Sequence, residues 1–119
     1  MSKLRLGVLI SGRGSNLSAI IKSCLNQHTH ADICVVISNR KDAKGLVTAQ
    51  NNNIENIYIN PKDYPSNIEY EERIIHFLEK HNIQLVVLAG YMKLVGDTLL
   101  QKYPNKIINI HPSLLPAFK

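Results

Sequence analysis

The strongest constraint on this chain is a recurrence of short apolar runs with helical segments between them. Leu4–Ile10, Ile33–Ile37, Gln84–Ala89 and Ile107–Ile110 are rich in Val, Ile and Leu, and Ile54–Ile59 is a shorter, more polar run of the same kind. They do not alternate apolar with polar residues, as a strand with one wet face would. Runs of four to eight such residues bounded by turn signals suit strands buried on both faces.

The intervening segments carry a different period. Ser15 and Asn16 open a stretch with apolar Leu17, Ile20, Ile21, Cys24 and Leu25, one face of an amphipathic helix. Asp42 is a good N-cap for a helix carrying Ala43, Leu46, Val47 and Gln50, weakened by Gly45 and stopped in the Asn51–Asn53 run. Asn60-Pro61 reads as a breaker. Ser66 followed by Glu69 has the form of a capping box, and a helix through Ile68, Ile74, Ile75, Phe77 and Leu78 follows it to about His81-Asn82. A short helix spans Asp97 to Tyr103, ahead of Pro104.

The order β-α-β-α-β-α-β-α-β with apolar strands predicts an α/β fold, a doubly wound and mostly parallel sheet with helices on both faces. Right-handed crossovers then collect the strand C-termini along one edge, where such folds bind ligands. Ser11 to Asn16, Ser38 to Lys41, Gly90 to Val95 and Asn109 to Pro116 fall on that edge. At 119 residues, without repeat or linker, the chain reads as a single domain over 1–119.

Composition narrows the function classes. A formal charge of +5 is spread along the chain, with only Arg40, Lys41 and Lys44 grouped. Neither a basic tail nor an aromatic stacking platform is present, so no nucleic-acid partner is expected, and the field suits anionic small molecules. No run is long enough to span a bilayer, and the N-terminus has no leader-like apolar segment. Cys24 and Cys34 lie in apolar patterns without metal or redox spacing, which reads as buried reduced thiols in a cytoplasmic protein.

Three segments carry candidate chemistry. Gly12-Arg13-Gly14-Ser15-Asn16 turns a strand into a helix, where backbone N–H groups favour an anion. It is neither the dinucleotide fingerprint, since Leu17 stands at the third glycine position, nor a Walker loop. Arg40 would suit a 2′-phosphate, and glycines serve a tight turn equally well, so the residues alone leave these readings open. In Gly90-Tyr91-Met92-Lys93-Leu94-Val95 the glycine admits a close approach and the apolar residues can line a slot or cap the core. At the end of the last strand Asn109 and His111 share a face by the period of two, and Pro112 stiffens the loop beyond them. His28, His30, His76 and His81 read as solvated, and no metal site is expected.

Together these segments resemble the glycinamide ribonucleotide formyltransferase family. The matching pieces are Leu9–Asn16, Val87–Met92 and Asn109–Pro116, in matching order and spacing along the whole chain. The resemblance implies a Rossmann-like formyltransferase N-terminal portion and formyl transfer from 10-formyltetrahydrofolate to the amine of glycinamide ribonucleotide, in purine biosynthesis. It also implies roles: Gly14, Ser15 and Asn16 for the phosphoribosyl substrate, and Met92, Lys93, Leu94 and Val95 around the pteridine. Asn109 would hold the formyl oxygen and His111 would act as general acid or base.

Two departures from the family pattern stand out. Asn67 occupies the region of a folate-contacting Arg. The family's catalytic Asp belongs to a later loop than the last residue, Lys119, so the expectation is a truncated portion with little or no turnover and an open sheet edge where a second chain can pair. Formyltetrahydrofolate hydrolysis and non-catalytic binding of a phosphorylated ligand are the alternatives.

Overall fold

A computed structural model describes residues 3–12, 14–25 and 30–110. Its strands are β1 (Leu4–Ile10), β2 (Ala31–Ser38), β3 (Glu55–Tyr58), β4 (Leu85–Ala89) and β5 (Ile107–Ile110). Its α-helices are α1 (Ser15–Leu25), α2 (Lys44–Asn51), α3 (Asn67–Lys80) and α4 (Asp97–Lys102). All strand pairs are parallel, in the order β3-β2-β1-β4-β5. The predicted α/β architecture is therefore the one found.

The chain order reverses beside β1, which pairs with β2 on one side and β4 on the other. Loops leaving β1 and β4 thus diverge and open a crevice at the strand C-termini, the place where open α/β sheets bind ligands. Two core layers hold the sheet. Leu17, Ile20 and Ile21 of α1 and Ala49 of α2 pack with Val8, Ile10 and Val36 on one face. Tyr70, Ile74 and Leu78 of α3 and Leu99 of α4 pack with Leu9, Val35, Ile37 and Val86 on the other. Val8 and Leu9 are both fully buried, as a strand covered on two faces requires.

Local chemistry sets most of the boundaries. Ser66 Oγ accepts the Glu69 N–H at 3.2 Å and caps α3, the expected arm of the capping box. Asn53, Asn82 and Asn105, each just past a helix, take left-handed φ values of 59°, 55° and 59°, a conformation that Asn tolerates well after a helix end.

Three expectations need correction. The N-cap of α2 is Ala43, without a side-chain cap bond; Asp42 instead pairs with Arg40, Nε to Oδ1 at 3.2 Å. Asn60-Pro61, by contrast, is the breaker expected: β3 ends at Tyr58, and the Asn60 side chain accepts the Lys62 N–H to start one 3₁₀ turn at Pro61–Asp63. Ile68, Leu25 and Val47 are exposed rather than in the core. The inward face of α3 runs through Tyr70, Glu71, Ile74 and Leu78, a stripe of i, i+1, i+4 and i+8 that leaves Ile68 outside it. Finally, Cys24 and Cys34 are free but only half-buried, because both lie at the sheet's opposite end beside a cavity of about 520 Å³. Burial, then the nearby Asp32 carboxylate, pushes the Cys24 thiol above its usual value.

Among the described residues no helix is long and apolar enough to cross a membrane.

Candidate active site

The turn after β1 is shaped by a contact with α2. Gly14 has φ +84°, and a Cβ placed there would lie 2.9 Å from Gly45 Cα and 3.0 Å from Gly45 N. Gly45 N–H in turn donates to the Gly12 carbonyl at 3.4 Å. A glycine that only weakens a helix in the sequence is thus the surface on which the turn rests. The first turn of α1 carries no acidic side chain, so the positive end of its dipole has no local counter-charge from that turn. Ser15 is exposed and Asn16 half-buried at this helix start. The Asn16 Oδ1 atom is buried without a hydrogen-bond partner among the described residues.

The segment after β4 meets this turn directly. Gly90 has φ +72°, and Asn16 Nδ2 lies 3.7 Å from where its Cβ would be. Ser11, 1% exposed, donates through Oγ to Asn39 Oδ1 at 2.6 Å and accepts the Met92 N–H at 2.8 Å. One hydroxyl therefore joins the loops leaving β1, β2 and β4. Met92 and Leu94 project outward, 82% and 92% exposed, while Tyr91 and Val95 pack against the α3–α4 core. Lys93 Nζ lies 5.4 Å from the centroid of the Tyr70 ring, within range of a cation–π attraction.

Under this segment the Tyr70 hydroxyl is buried and makes no hydrogen bond of good geometry among the described residues, although the Tyr91 phenol is its close neighbour. Burial, then the Tyr70 phenol, pushes the Tyr91 hydroxyl far above the usual phenol range. Both rings thus hold their protons and act as neutral, rigid supports.

Asn109 is exposed on β5 and sits opposite Leu88 in the β4 register. Ile110 packs toward the α1–α2 side and Ile107 toward the α3–α4 side. Alternation then places the Asn109 side chain on the α3–α4 side, the side against which Tyr91 and Val95 pack. His111 and Pro112 to Pro116 lie outside the described residues, as do Arg13 and His28. A cleft of about 420 Å³ runs among Ser11, Gly12, Arg40, Lys44, Gly90 and Met92. Among the described residues no group of three or more His, Cys, Asp or Glu side chains could hold a metal.

The fold brings Asn16 beside Gly90 and ties Met92 to Ser11, with Asn109 at the same sheet edge. The family described as Formyl transferase matches residues 4–119. The chain belongs to that family. Phosphoribosylglycinamide formyltransferase of Bacillus subtilis is 42% identical over 114 residues, which take in 96% of this chain and 58% of that protein. Human trifunctional purine biosynthetic protein adenosine-3 is 44% identical over 117 residues, 98% of this chain and 12% of that protein. The crystal structure of glycinamide ribonucleotide transformylase 1 from Symbiobacterium toebii superposes with a TM-score of 0.89 at 44% identity, over 98% of this chain and 55% of that one. This formyl transferase chain thus spans a little over half the length of the Bacillus and Symbiobacterium relatives.

Two buried polar side chains, Ser11 and Glu71, receive no role from the sequence. Ser11 reads there as one more turn residue. Glu71 was detectable: it lies three residues before Ile74 and so on the inward face, where an acidic residue needs partners.

Proposed function

We propose that this chain forms the nucleotide-binding portion of a folate-dependent glycinamide ribonucleotide formyltransferase. The observation that carries the reading is the meeting of the Gly14–Asn16 turn with the Gly90–Met92 segment at the sheet's reversal point, through Ser11 and the Asn16–Gly90 contact. A helix start free of acidic groups is suited to a phosphate, so Gly14, Ser15 and Asn16 receive the phosphoribosyl end of the nucleotide. The unpartnered Asn16 Oδ1 is an acceptor ready for a ligand hydroxyl or amide.

The donor is 10-formyltetrahydrofolate, which supplies an activated formyl carbon. Space beside Gly90 and the outward apolar side chains Met92 and Leu94 fit a flat ring system. Met92 to Val95 line its pocket, with Lys93 as a cation for its anionic end. Attack by the nucleotide amine builds negative charge on the formyl oxygen and positive charge on the nitrogen. Asn109 offers an amide N–H to that oxygen, where a preplaced donor is most effective. His111, two residues on, moves the proton from the attacking amine toward the leaving folate nitrogen. None of these steps needs a metal or a covalent enzyme intermediate.

Calorimetric titration of the chain with glycinamide ribonucleotide tests the nucleotide site. Saturable binding that weakens on Asn16→Ala is expected, while a folate hydrolase would ignore the ligand. In a protein of the relatives' whole length, His111→Ala should leave nucleotide binding in place and cut turnover by about 10²–10⁴-fold. Unchanged turnover would remove His111 from the mechanism.

A further inference from the structure

Glu71 is 2% exposed on α3, yet it belongs to none of the ligand-facing groups above. Its carboxylate accepts two backbone N–H groups, from Gly96 at 2.7 Å and from Leu99 at 3.0 Å. These are donors at the start of α4, whose own cap residue, Gly96, has no side chain to offer. A Cβ at Gly96 would stand 2.7 Å from Asn67 Nδ2 and 3.1 Å from Glu71 Oε1, so the backbone lies directly against α3. At the other end of the same loop, Ser11 Oγ accepts the Met92 N–H. Between these two fixed points stand Met92 and Leu94, both held out into solvent.

We propose that Ser11 and Glu71 are positioning residues that clamp the two ends of the 91–96 loop and preset the Met92–Val95 wall for the folate. The ligand named here rests on the function proposed above; the clamp itself rests on the hydrogen bonds. Both side chains lie at fixed places in the core, Ser11 at the end of β1 and Glu71 on α3, so loop and sheet are referenced to one another. An apolar wall ordered before the ligand arrives loses less freedom on binding than one ordered by it. The two buried anchors therefore act on affinity without touching the ligand.

Glu71→Gln is the informative substitution, because it keeps shape and volume. A carboxamide has one acceptor oxygen and one NH2, so the paired acceptance of Gly96 N–H and Leu99 N–H by two oxygens is lost. Ser11→Ala removes the acceptor at the other end. Amide hydrogen exchange of the 119-residue chain reads the clamp. Exchange at Gly96 and Leu99 should rise about tenfold or more in Glu71→Gln, and at Met92 in Ser11→Ala. Amides of β1 and β4 should keep their protection in both.

Titration with 5-formyltetrahydrofolate, whose formyl group is on N5 rather than N10, reads the consequence. Glu71→Gln should weaken it about tenfold, while glycinamide ribonucleotide affinity stays within about twofold of the parent. Unchanged exchange in the loop overturns the clamp, and so does loss of protection throughout the sheet, which would make Glu71 a general stability residue. Equal folate affinity in parent and variant overturns the positioning role. A parent chain that binds no folate removes the ligand assignment, and the exchange measurement then decides the clamp by itself.

Discussion

The Gly14 turn lies backbone against backbone on Gly45 in the proposed nucleotide site, and Gly14→Ala tests that contact. The substitution adds one methyl group at a φ of +84°. An L-residue in that region costs about 1–2 kcal/mol. The new Cβ would also lie 2.9 Å from Gly45 Cα and 3.0 Å from Gly45 N, atoms that cannot rotate away as a side chain could. Overpacking of this kind adds about 1–3 kcal/mol. A loss of roughly 2–5 kcal/mol is expected if the turn stays in place. A turn that swings off α2 to escape the clash would recover part of this, and the helix start would then leave its place beside Gly90. Urea denaturation measures the first quantity and nucleotide titration the second. Gly12→Ala is the control, since no described residue other than its chain neighbours comes within 4 Å of its Cβ position, and it should change stability by no more than about 0.5 kcal/mol. Equal stability and equal nucleotide affinity for Gly14→Ala and the parent would refute the reasoning, as would equal damage from Gly12→Ala.

Two further outcomes concern the scaffold. Ser66→Ala removes the acceptor for the Glu69 N–H and should cost about 1 kcal/mol in urea denaturation without changing the slope. Burial raises the phenol pKa of Tyr70 and Tyr103, and burial followed by Tyr70 raises that of Tyr91. Unfolded phenols release protons from about pH 10 while these three keep theirs, so the native state then binds more protons. Their stabilising effect is complete below that pH and is lost above it, by at most about 1.4 kcal/mol per pH unit for each phenol. Tyrosinate absorbance from these three should therefore appear together with the loss of helical circular dichroism. Titration of all the tyrosines in a folded chain near pH 10 would contradict this.

Much of the fold was legible because burial on both faces leaves an unambiguous trace in a strand. Leu4–Ile10, Ile33–Ile37 and Gln84–Ala89 admit few other structures, and the expected sheet edge is the one along which Ser11, Gly90 and Asn109 stand. The capping box at Ser66 was legible for a similar reason: its chemistry is confined to four neighbouring residues. Asp42 misled because a good cap in isolation can pair with a nearby cation instead, and here Arg40 is two residues away.

The sequence by itself determined the α/β class, the strand and helix order, the loops on one edge and the family, since each depends on local period or on a contiguous motif. Only the tertiary structure decided which of those loops touch and what holds them. Gly45 became the seat of the Gly14 turn, and Asn16 came to lie beside Gly90. Ser11 joined three loops, and Glu71 reached 25 residues along the chain to Gly96. Such partners are set by the packing of α2 and α3 against the sheet. A single polar residue carries no periodic signature of the backbone donor it will meet across that packing.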